Sequence, residues 1–508
     1  MAMITWPTTY KVSQIVGILA VGGTILGMDI ASISLFLGEE YFKEYFGYPG
    51  PLLQGLITGA NPVGGFIGCI CFGGLTEQVG RVSTFQIVAL VWILGSVISA
   101  SVLNLAMLIA GRLVRGVAVG ILSVLLPVYI GEVIPINKKG AATSVVQLAL
   151  TVSILIIFFM CFLLNNLESQ LSFRVAWGLE LVPGLVFFLL TFSLAESPKW
   201  LVSQGQYNRA QNVYRNFSAV SFSGTADATK MDVLDMCGPD QKTKYSDLFS
   251  NSLLKLTMIG ITVQMLVQLC GINIIMFYIV FICEMIGLRG AGKLSAASAP
   301  YLINVVFTCI PILTLDRLRR KLVLAYGGIS LACTMTLIGI TMGALGHGVT
   351  PSNGNDTVVW EVTGTPGFVI LALCFLSVAV FSSTISCCAW LYTNEVFPAR
   401  AKCKGMAFCM ATSWILNSSL TFTTPLLLSK IKWITFVILG SVTAILSLVV
   451  AIWFPETKKL LNDAPRIDSS PCEESIEGKE SRSAAPSPAD TDNNGIQLIA
   501  DPQYEDIV

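Results

Sequence analysis

Long apolar runs recur along the whole chain and limit the folds that it can adopt. Apolar residues make up 54% of the 508 residues and charged residues only 12%, whereas soluble domains carry about 25% charged residues. A run of about 20 apolar residues can cross a bilayer as a helix. We therefore predict about twelve spanning helices, at residues 13–36, 52–75, 84–105, 106–134, 142–166, 177–195, 256–285, 295–315, 322–345, 367–392, 401–428 and 432–454.

A short phrase occurs twice, at corresponding places among these runs. Glu132-Val-Ile-Pro135 is followed by Lys138, Lys139 and Gly140, and Glu395-Val-Phe-Pro398 is followed by Arg400, Lys402, Lys404 and Gly405. Membrane chains built from two repeats often hold a substrate between them and expose it alternately to each side. The prediction is an all-α membrane transporter with twelve helices in two pseudo-symmetric six-helix halves.

The halves are expected at residues 1–195 and 256–460, on either side of a polar stretch. That stretch, residues 196–255, is predicted to form a central cytoplasmic loop with short amphipathic helices, because apolar residues near Trp200 and Tyr214 follow a helical spacing. Residues 461–508 are rich in Ser, Pro, Asp and Glu. Such a composition predicts a disordered tail.

The placement of basic residues predicts the orientation. Loops on the side of the termini are richer in Lys and Arg than loops on the other side, which puts both termini in the cytoplasm. The first apolar run lacks a cleavage pattern, so we expect it to remain as a helix. The zero net charge gives no sign of a nucleic-acid partner. Neither the cysteines nor His347, the only histidine, has metal-ligand spacing, and we predict no metal, no cofactor and no enzymatic activity.

Two further pairs of segments repeat between the halves. Glu77 to Arg81 corresponds to Asp316 to Arg320, and the Glu-Ser-Pro-Lys segment at Glu196 corresponds to Pro-Glu-Thr-Lys at Pro455. We predict a latch of acids and bases at the cytoplasmic helix ends, formed by Glu77, Arg81, Glu132, Glu196, Asp316, Arg320, Glu395 and Arg400. The alternative, that these residues only set the topology, accounts for the bases but not for the acids.

The ordered set of motifs resembles the sugar porter family of the major facilitator superfamily, and within it the fungal hexose transporters. The resemblance spans residues 10 to 460. It rests on Gly111-Arg112, Pro127 to Glu132, Glu196 to Trp200, Gln268 to Asn273, Trp390 to Pro398 and Pro455 to Thr457. Some positions depart from the family pattern: Glu77, Gln78, Val82 and Arg319 in the latch turns, and Val267 where a second glutamine is usual.

The resemblance implies a sugar site built from amide side chains and an aromatic face inside the helices. The matching positions are Gln147, Gln264, Gln268, Asn273, Asn304, Trp390 and Asn417. Amides suit a neutral ligand rich in hydroxyl groups. Membrane helices also use Asn and Gln to bind one another, and for Gln264 and Asn304 both interpretations stay open.

Asp29 lies within the first apolar run, and the family places it beside Arg112. A charge inside the membrane costs about 2.5–3.5 kcal/mol on an insertion scale and marks a functional site. We expect this pair to couple sugar transport to protons, with a purely structural buried pair as the alternative.

The expected function is transport of monosaccharides, hexoses in particular, by alternating access with proton symport. A facilitative uniporter and a glucose sensor without transport are the alternatives. The expected partners are a small sugar, a proton and the lipid bilayer of the plasma membrane, and the chain is expected to act as a monomer. Asn355, in the sequence Asn-Asp-Thr of an outside loop, is a predicted glycosylation site.

Overall fold

Helices account for nearly all of the structure, a computed structural model that describes residues 8–36, 39–165, 167, 169–221, 244–288, 290–348, 360–362, 364–398 and 400–457. The first part forms α1 (Val12–Phe36), α2 (Glu40–Tyr45), α3 (Pro51–Val79), α4 (Arg81–Ala100), α5 (Leu105–Val133), α6 (Lys139–Asn165), α7 (Gln170–Leu179), α8 (Leu181–Thr191), α9 (Pro198–Ser203) and α10 (Tyr207–Ser221). The second part forms α11 (Asn251–Leu269), α12 (Ile272–Met285), α13 (Gly290–Thr314), α14 (Arg320–Leu345), α15 (Thr365–Ser383), α16 (Ile385–Val396), α17 (Lys402–Lys430) and α18 (Ile434–Trp453).

Eleven segments of the described chain are long and apolar enough to cross a membrane. The predicted span at residues 401–428 is not among the eleven; it corresponds to α17, which has 29 residues but carries several Ser, Thr and Asn residues that make it less apolar. Three of these, Ser413, Asn417 and Ser418, are less than one-tenth exposed. These three polar side chains of α17 therefore face the interior of the bundle rather than lipid.

Three predicted continuous helices are each broken into two. Residues 177–195 belong to a span made of α7 and α8, residues 256–285 to α11 and α12, and residues 367–392 to α15 and α16. The second break occurs at Gly271, whose φ of 82° lies in the left-handed region that glycine adopts without strain. The third occurs at Thr384, with φ −126° and ψ −72°. Hydropathy did not reveal these breaks because both parts of each span are apolar.

Close helix packing brings α3 and α5 together. A Cβ atom added at Gly116 of α5 would lie 2.2 Å from the carbonyl oxygen of Asn61, and one at Gly64 of α3 would lie 2.3 Å from that of Leu113. Small residues let membrane helices approach in this way. The backbones of α3 and α5 are therefore in direct contact beside Asn61.

The connections between the spans contain further short elements. As predicted, amphipathic helices follow residue 196: α9 and α10 pack through Leu201, Val202 and Ala210. The α14–α15 connection holds a two-stranded antiparallel sheet of β1 (His347–Gly348) and β2 (Trp360–Glu361), a small departure from an all-helical fold.

Three predictions stay predictions. Asn355 and the tail from residue 461 lie outside the described residues. The boundaries of the halves are likewise untested, and we use "first half" for α1–α8 and "second half" for α11–α18. We call the end of the bundle that carries the α3–α4, α5–α6, α13–α14 and α16–α17 connections the predicted cytoplasmic end.

Candidate binding cavity and charge networks

A cavity of about 160 Å³ lies between helices of both halves. It offers roughly ten times the space that one water needs. Its polar lining consists of Asp29, Thr58, Asn61, Arg112, Gln147, Asn273, Asn304 and Asn417, and its aromatic lining of Phe277, Phe381 and Trp414. A cavity with amide groups and aromatic faces can bind a small neutral molecule through hydrogen bonds and stacking.

Four of the predicted sugar residues line this cavity: Gln147, Asn273, Asn304 and Asn417. Gly271 positions Asn273, because the helix break at the glycine puts Asn273 in the first turn of α12. Asn304 accepts a hydrogen bond through Oδ1 from the hydroxyl of Ser382 at 2.7 Å. This contact fixes which way the side-chain amide of Asn304 faces.

Gln268 supports two of these amides from behind. Its Oε1 accepts from Asn273 Nδ2 and from Asn417 Nδ2 at 3.2 Å, while its Nε2 donates to Ser413 Oγ at 2.7 Å. The side chain of Gln268 is 9% exposed. One glutamine therefore fixes the orientation of two cavity amides on α12 and α17.

The two remaining predicted residues are not among those that line the cavity. Gln264 is buried and donates to Thr393 Oγ1 at 3.1 Å, which joins α11 to α16. Trp390 packs against an apolar cluster made mostly by the first half. The tryptophan on the wall is instead Trp414, whose Nε1 donates to Ser123 Oγ at 3.0 Å. Its position three residues before Asn417 on one helix was the available sequence signal.

Asp29 of α1 is 2% exposed. Its carboxylate makes four polar contacts with side chains of α3 and α5. Arg112 contacts it at 3.1 Å (Nη2 to Oδ2) and 3.3 Å (Nη1 to Oδ1), so the predicted pair is present. Arg115 adds a shorter contact of 2.7 Å to Oδ1, and Asn61 Nδ2 donates to Oδ2. Two guanidinium groups thus share one carboxylate.

Arg115 also pairs with Glu180, at the junction of α7 and α8. Both side chains are 0% exposed, and Arg115 lies over the ring of Trp92 at 5.7 Å. The network therefore has two acids and two bases. The sequence prediction missed Arg115 and Glu180, although a carboxylate inside the predicted span 177–195 and an arginine three residues after Arg112 were visible signals.

The predicted latch consists of buried clusters within each half. In the first half, Arg81 makes two bonds to Glu132, at 3.0 Å from Nε and 2.9 Å from Nη2. Glu196 accepts from the backbone N–H groups of Arg81 at 2.9 Å and Val82 at 3.1 Å, at the beginning of α4. Burial raises the pKa of the Glu196 carboxyl, and the backbone donors act in the opposite direction.

The second half repeats this arrangement. Arg320 Nε lies 3.5 Å from Glu395 Oε2, and Nη2 lies 3.9 Å from Asp316 Oδ1. Glu456 accepts from the backbone N–H groups of Arg320 at 2.9 Å and Lys321 at 3.3 Å. Glu456 therefore corresponds to Glu196, as the repeat of the two segments suggested.

A different set of contacts joins the two halves at the same end. Asp316 accepts from the backbone N–H groups of Gly140 and Ala141, each at 2.8 Å. Glu77 Oε1 pairs with Lys404 at 2.8 Å. Arg81 Nη2 donates to Cys403 Sγ at 3.2 Å. These contacts close the predicted cytoplasmic end, whereas Arg400 is exposed there.

The fold is the one seen in solved transporters of the major facilitator superfamily. A solved structure of the proton:xylose symporter XylE bound to 6-bromo-6-deoxy-D-glucose aligns with a TM-score of 0.73 at 21% identity, covering 88% of this chain and 96% of the other. XylE from E. coli in a partially occluded inward-open conformation aligns with a TM-score of 0.69 at 22% identity, covering 89% and 99%. The predicted fold class is therefore confirmed.

The chain belongs to the sugar transporter family, because the family model described as "Sugar (and other) transporter" matches residues 15–462. A probable metabolite transport protein of Saccharomyces cerevisiae is 38% identical over 89% of this chain and 85% of its own length. The high-affinity glucose transporter 1 of Candida albicans is 34% identical over 89% and 84%. These matches confirm the predicted family and a multi-pass membrane protein that is not an enzyme.

Proposed function

We propose that this protein transports monosaccharides, in particular hexoses, across the plasma membrane by alternating access and proton symport. One observation carries the proposal: a single cavity is lined both by five neutral amides and by the buried carboxylate of Asp29. Amides bind hydroxyl groups without requiring a charge on the ligand. A carboxylate on the same wall provides a group that can bind and release a proton.

The amides come from both halves. Asn61 and Gln147 lie on α3 and α6, whereas Asn273, Asn304 and Asn417 lie on α12, α13 and α17. A sugar that bridges these side chains holds the halves together in a closed state, as alternating access requires. Hexose as the substrate is supported by relatives that are named as high-affinity glucose transporters, in Kluyveromyces lactis and Candida albicans.

The proton is assigned to Asp29, with Arg112 as its partner and Arg115 as an additional one. One charge that moves through 100 mV supplies about 2.3 kcal/mol, and a tenfold sugar gradient requires about 1.4 kcal/mol. The membrane potential is therefore sufficient for accumulation with one proton per sugar. The name of XylE, a proton:xylose symporter with the same fold, supports this assignment.

The contacts at the predicted cytoplasmic end serve as the inner gate in this proposal, with both termini in the cytoplasm and a monomer as the working unit. The clusters around Arg81 and Arg320 lie within single halves and move with them. The contacts of Asp316, Glu77 and Cys403 join the halves and must break when the cavity opens inward. The exposed Glu77–Lys404 pair contributes about 0–1 kcal/mol, so this contact can break when the gate opens.

Uptake of radiolabelled sugars in yeast that lacks its own hexose transporters tests the proposal. We expect glucose to accumulate above its external concentration and a protonophore to abolish accumulation. Uptake that is unaffected by the protonophore would exclude proton symport and favour facilitated transport. Surface-expressed protein that takes up no sugar would refute transport and favour a sensor.

A further inference from the structure

Asn61 connects the wall of the cavity to the carboxylate of Asp29. It lines the cavity and is 6% exposed. Its Nδ2 donates to Asp29 Oδ2, while its Oδ1 is buried and has no hydrogen-bond partner among the described residues. A buried acceptor without a donor is unfavourable, so a donor from a bound ligand would stabilise this oxygen.

The charge on Asp29 determines which way the amide of Asn61 faces. An ionised carboxylate only accepts hydrogen bonds, so Asn61 must direct its NH₂ group toward Asp29 and its oxygen elsewhere. The charged groups around Asp29 are Arg112 and Arg115, with Glu180 beyond Arg115. Arg112 and Arg115 can only donate, and Glu180 contacts Arg115 rather than Asp29, so Asn61 is the neutral partner of Asp29 that can both donate and accept.

The backbone of Asn61 is held in place. The carbonyl of Ile57, one turn earlier on α3, accepts from Arg112 Nε at 2.7 Å. The carbonyl of Asn61 itself packs against Gly116, where a Cβ atom would lie 2.2 Å away. Because α3 is fixed to α5 at both points, a change at Asp29 can act on the side-chain amide without moving the helix.

We propose that Asn61 is a positioning residue that links sugar binding to the protonation of Asp29, an inference that rests on the proposed symport. When Asp29 is ionised, Asn61 Oδ1 accepts a hydrogen bond from a sugar hydroxyl. When a proton binds Asp29 Oδ2, the resulting O–H group donates to Asn61 Oδ1. For this contact the side-chain amide of Asn61 rotates, so that its Nδ2 faces the cavity and donates to a sugar hydroxyl oxygen. The proton stays on Asp29, and one side chain changes from acceptor to donor toward the sugar.

The test uses the full-length protein in liposomes with glucose and its monodeoxy analogues, each lacking one hydroxyl. Sugar affinity is measured at acidic and neutral pH. In the wild type we expect one analogue to bind about two- to tenfold more weakly than glucose, as for one lost hydrogen bond, and this penalty to differ between the two pH values. In Asn61→Leu that penalty disappears, and the pH dependence of glucose affinity is largely lost.

Thr262→Val is the control, because Thr262 of α11 is not among the residues that line the cavity and its hydroxyl donates to the carbonyl of Met258 at 2.8 Å, within its own helix. We expect it to keep the wild-type pH dependence of glucose affinity. A purely structural role of Asn61 would weaken all analogues equally. Wild-type pH dependence in Asn61→Leu, or an unchanged analogue penalty, would overturn the inference.

Wild-type measurements alone also decide the question if Asn61→Leu does not fold. If the removal of each hydroxyl weakened sugar binding equally at both pH values, the role of Asn61 would be overturned. Accumulation and its sensitivity to the protonophore would still support symport. If the wild type showed neither pH-dependent affinity nor protonophore-sensitive accumulation, the symport proposal would fail, and this inference with it.

Discussion

Replacement of Gly140 by alanine is expected to open the predicted cytoplasmic end. The backbone N–H groups of Gly140 and Ala141 hold the carboxylate of Asp316, each at 2.8 Å. A Cβ atom at Gly140 would lie 2.4 Å from Asp316 Oδ1, well inside the normal contact distance. The carboxylate must therefore leave the beginning of α6, and a contact between the halves is lost.

The size of the effect follows from the two hydrogen bonds. A hydrogen bond to a charged group contributes about 1.5–3 kcal/mol. The Asp316 side chain is 18% exposed, so water compensates for part of the loss, and we expect a combined loss of about 2 kcal/mol. This corresponds to a factor of roughly 30 in the equilibrium between closed and open states. The loss falls on the closed state because the contact joins α6 to the α13–α14 turn.

Alkylation of Cys403 measures this opening. Its sulfur accepts from Arg81 across the halves, and the residue is half-buried, so its reaction with a maleimide depends on separation of the halves. Mass spectrometry of the Cys403 peptide in inverted vesicles should show a rate increase on the order of tenfold or more in Gly140→Ala. Gly17→Ala is the control, because no atom lies within 4 Å of a Cβ there. Equal rates in the wild type and both variants would refute the reasoning.

Three further predictions concern separate parts of the structure. Asp29→Asn should leave sugar exchange intact and abolish accumulation, as followed by counterflow and gradient-driven uptake; full accumulation would exclude Asp29 as the proton site. Glu180→Ala should lower the free energy of unfolding by about 3–5 kcal/mol, because it leaves Arg115 in the interior with one partner fewer. Glu77→Ala, which removes an exposed ion pair, should lower it by about 1 kcal/mol or less. Similar melting temperatures for the two variants would contradict this prediction. Gly271→Ala should raise the sugar KM, because a left-handed conformation costs other residues about 1–2 kcal/mol and Asn273 follows it; an unchanged KM would show that the break does not position the amide.

The membrane helices could be predicted because their signal is local. The length and apolarity of each run are set by the bilayer, and each predicted span contains or overlaps a helix of the structure. The breaks at Glu180, Gly271 and Thr384 were missed, since hydropathy averages over the two parts. Gly271 could have been suspected from its residue type, but Thr384 carries no such signal because neither proline nor glycine lies there.

The residue types that line the cavity could be predicted from the sequence. Which individual side chains face the cavity was harder to predict. Amides within apolar runs are few, and four of those predicted line the cavity. Trp390 and Trp414 look alike in a hydropathy profile. The rotation of α16 and α17 about their axes decides that Trp414 lies on the cavity wall and that Trp390 packs against an apolar cluster. Asn61, an amide inside the predicted span 52–75, was missed, because its role depends on the proximity of Asp29, 32 residues away in sequence.

The way Glu196 binds the beginning of α4 has a consequence for comparing relatives. Val82 occupies a position where the family usually has a base, which suggests a weakened contact when residues are compared by type. Glu196 nevertheless binds the backbone N–H of Val82 at 3.1 Å, a group that almost any side chain leaves available. Most substitutions at position 82 therefore leave this contact intact. Only proline, which lacks the N–H group, would remove it.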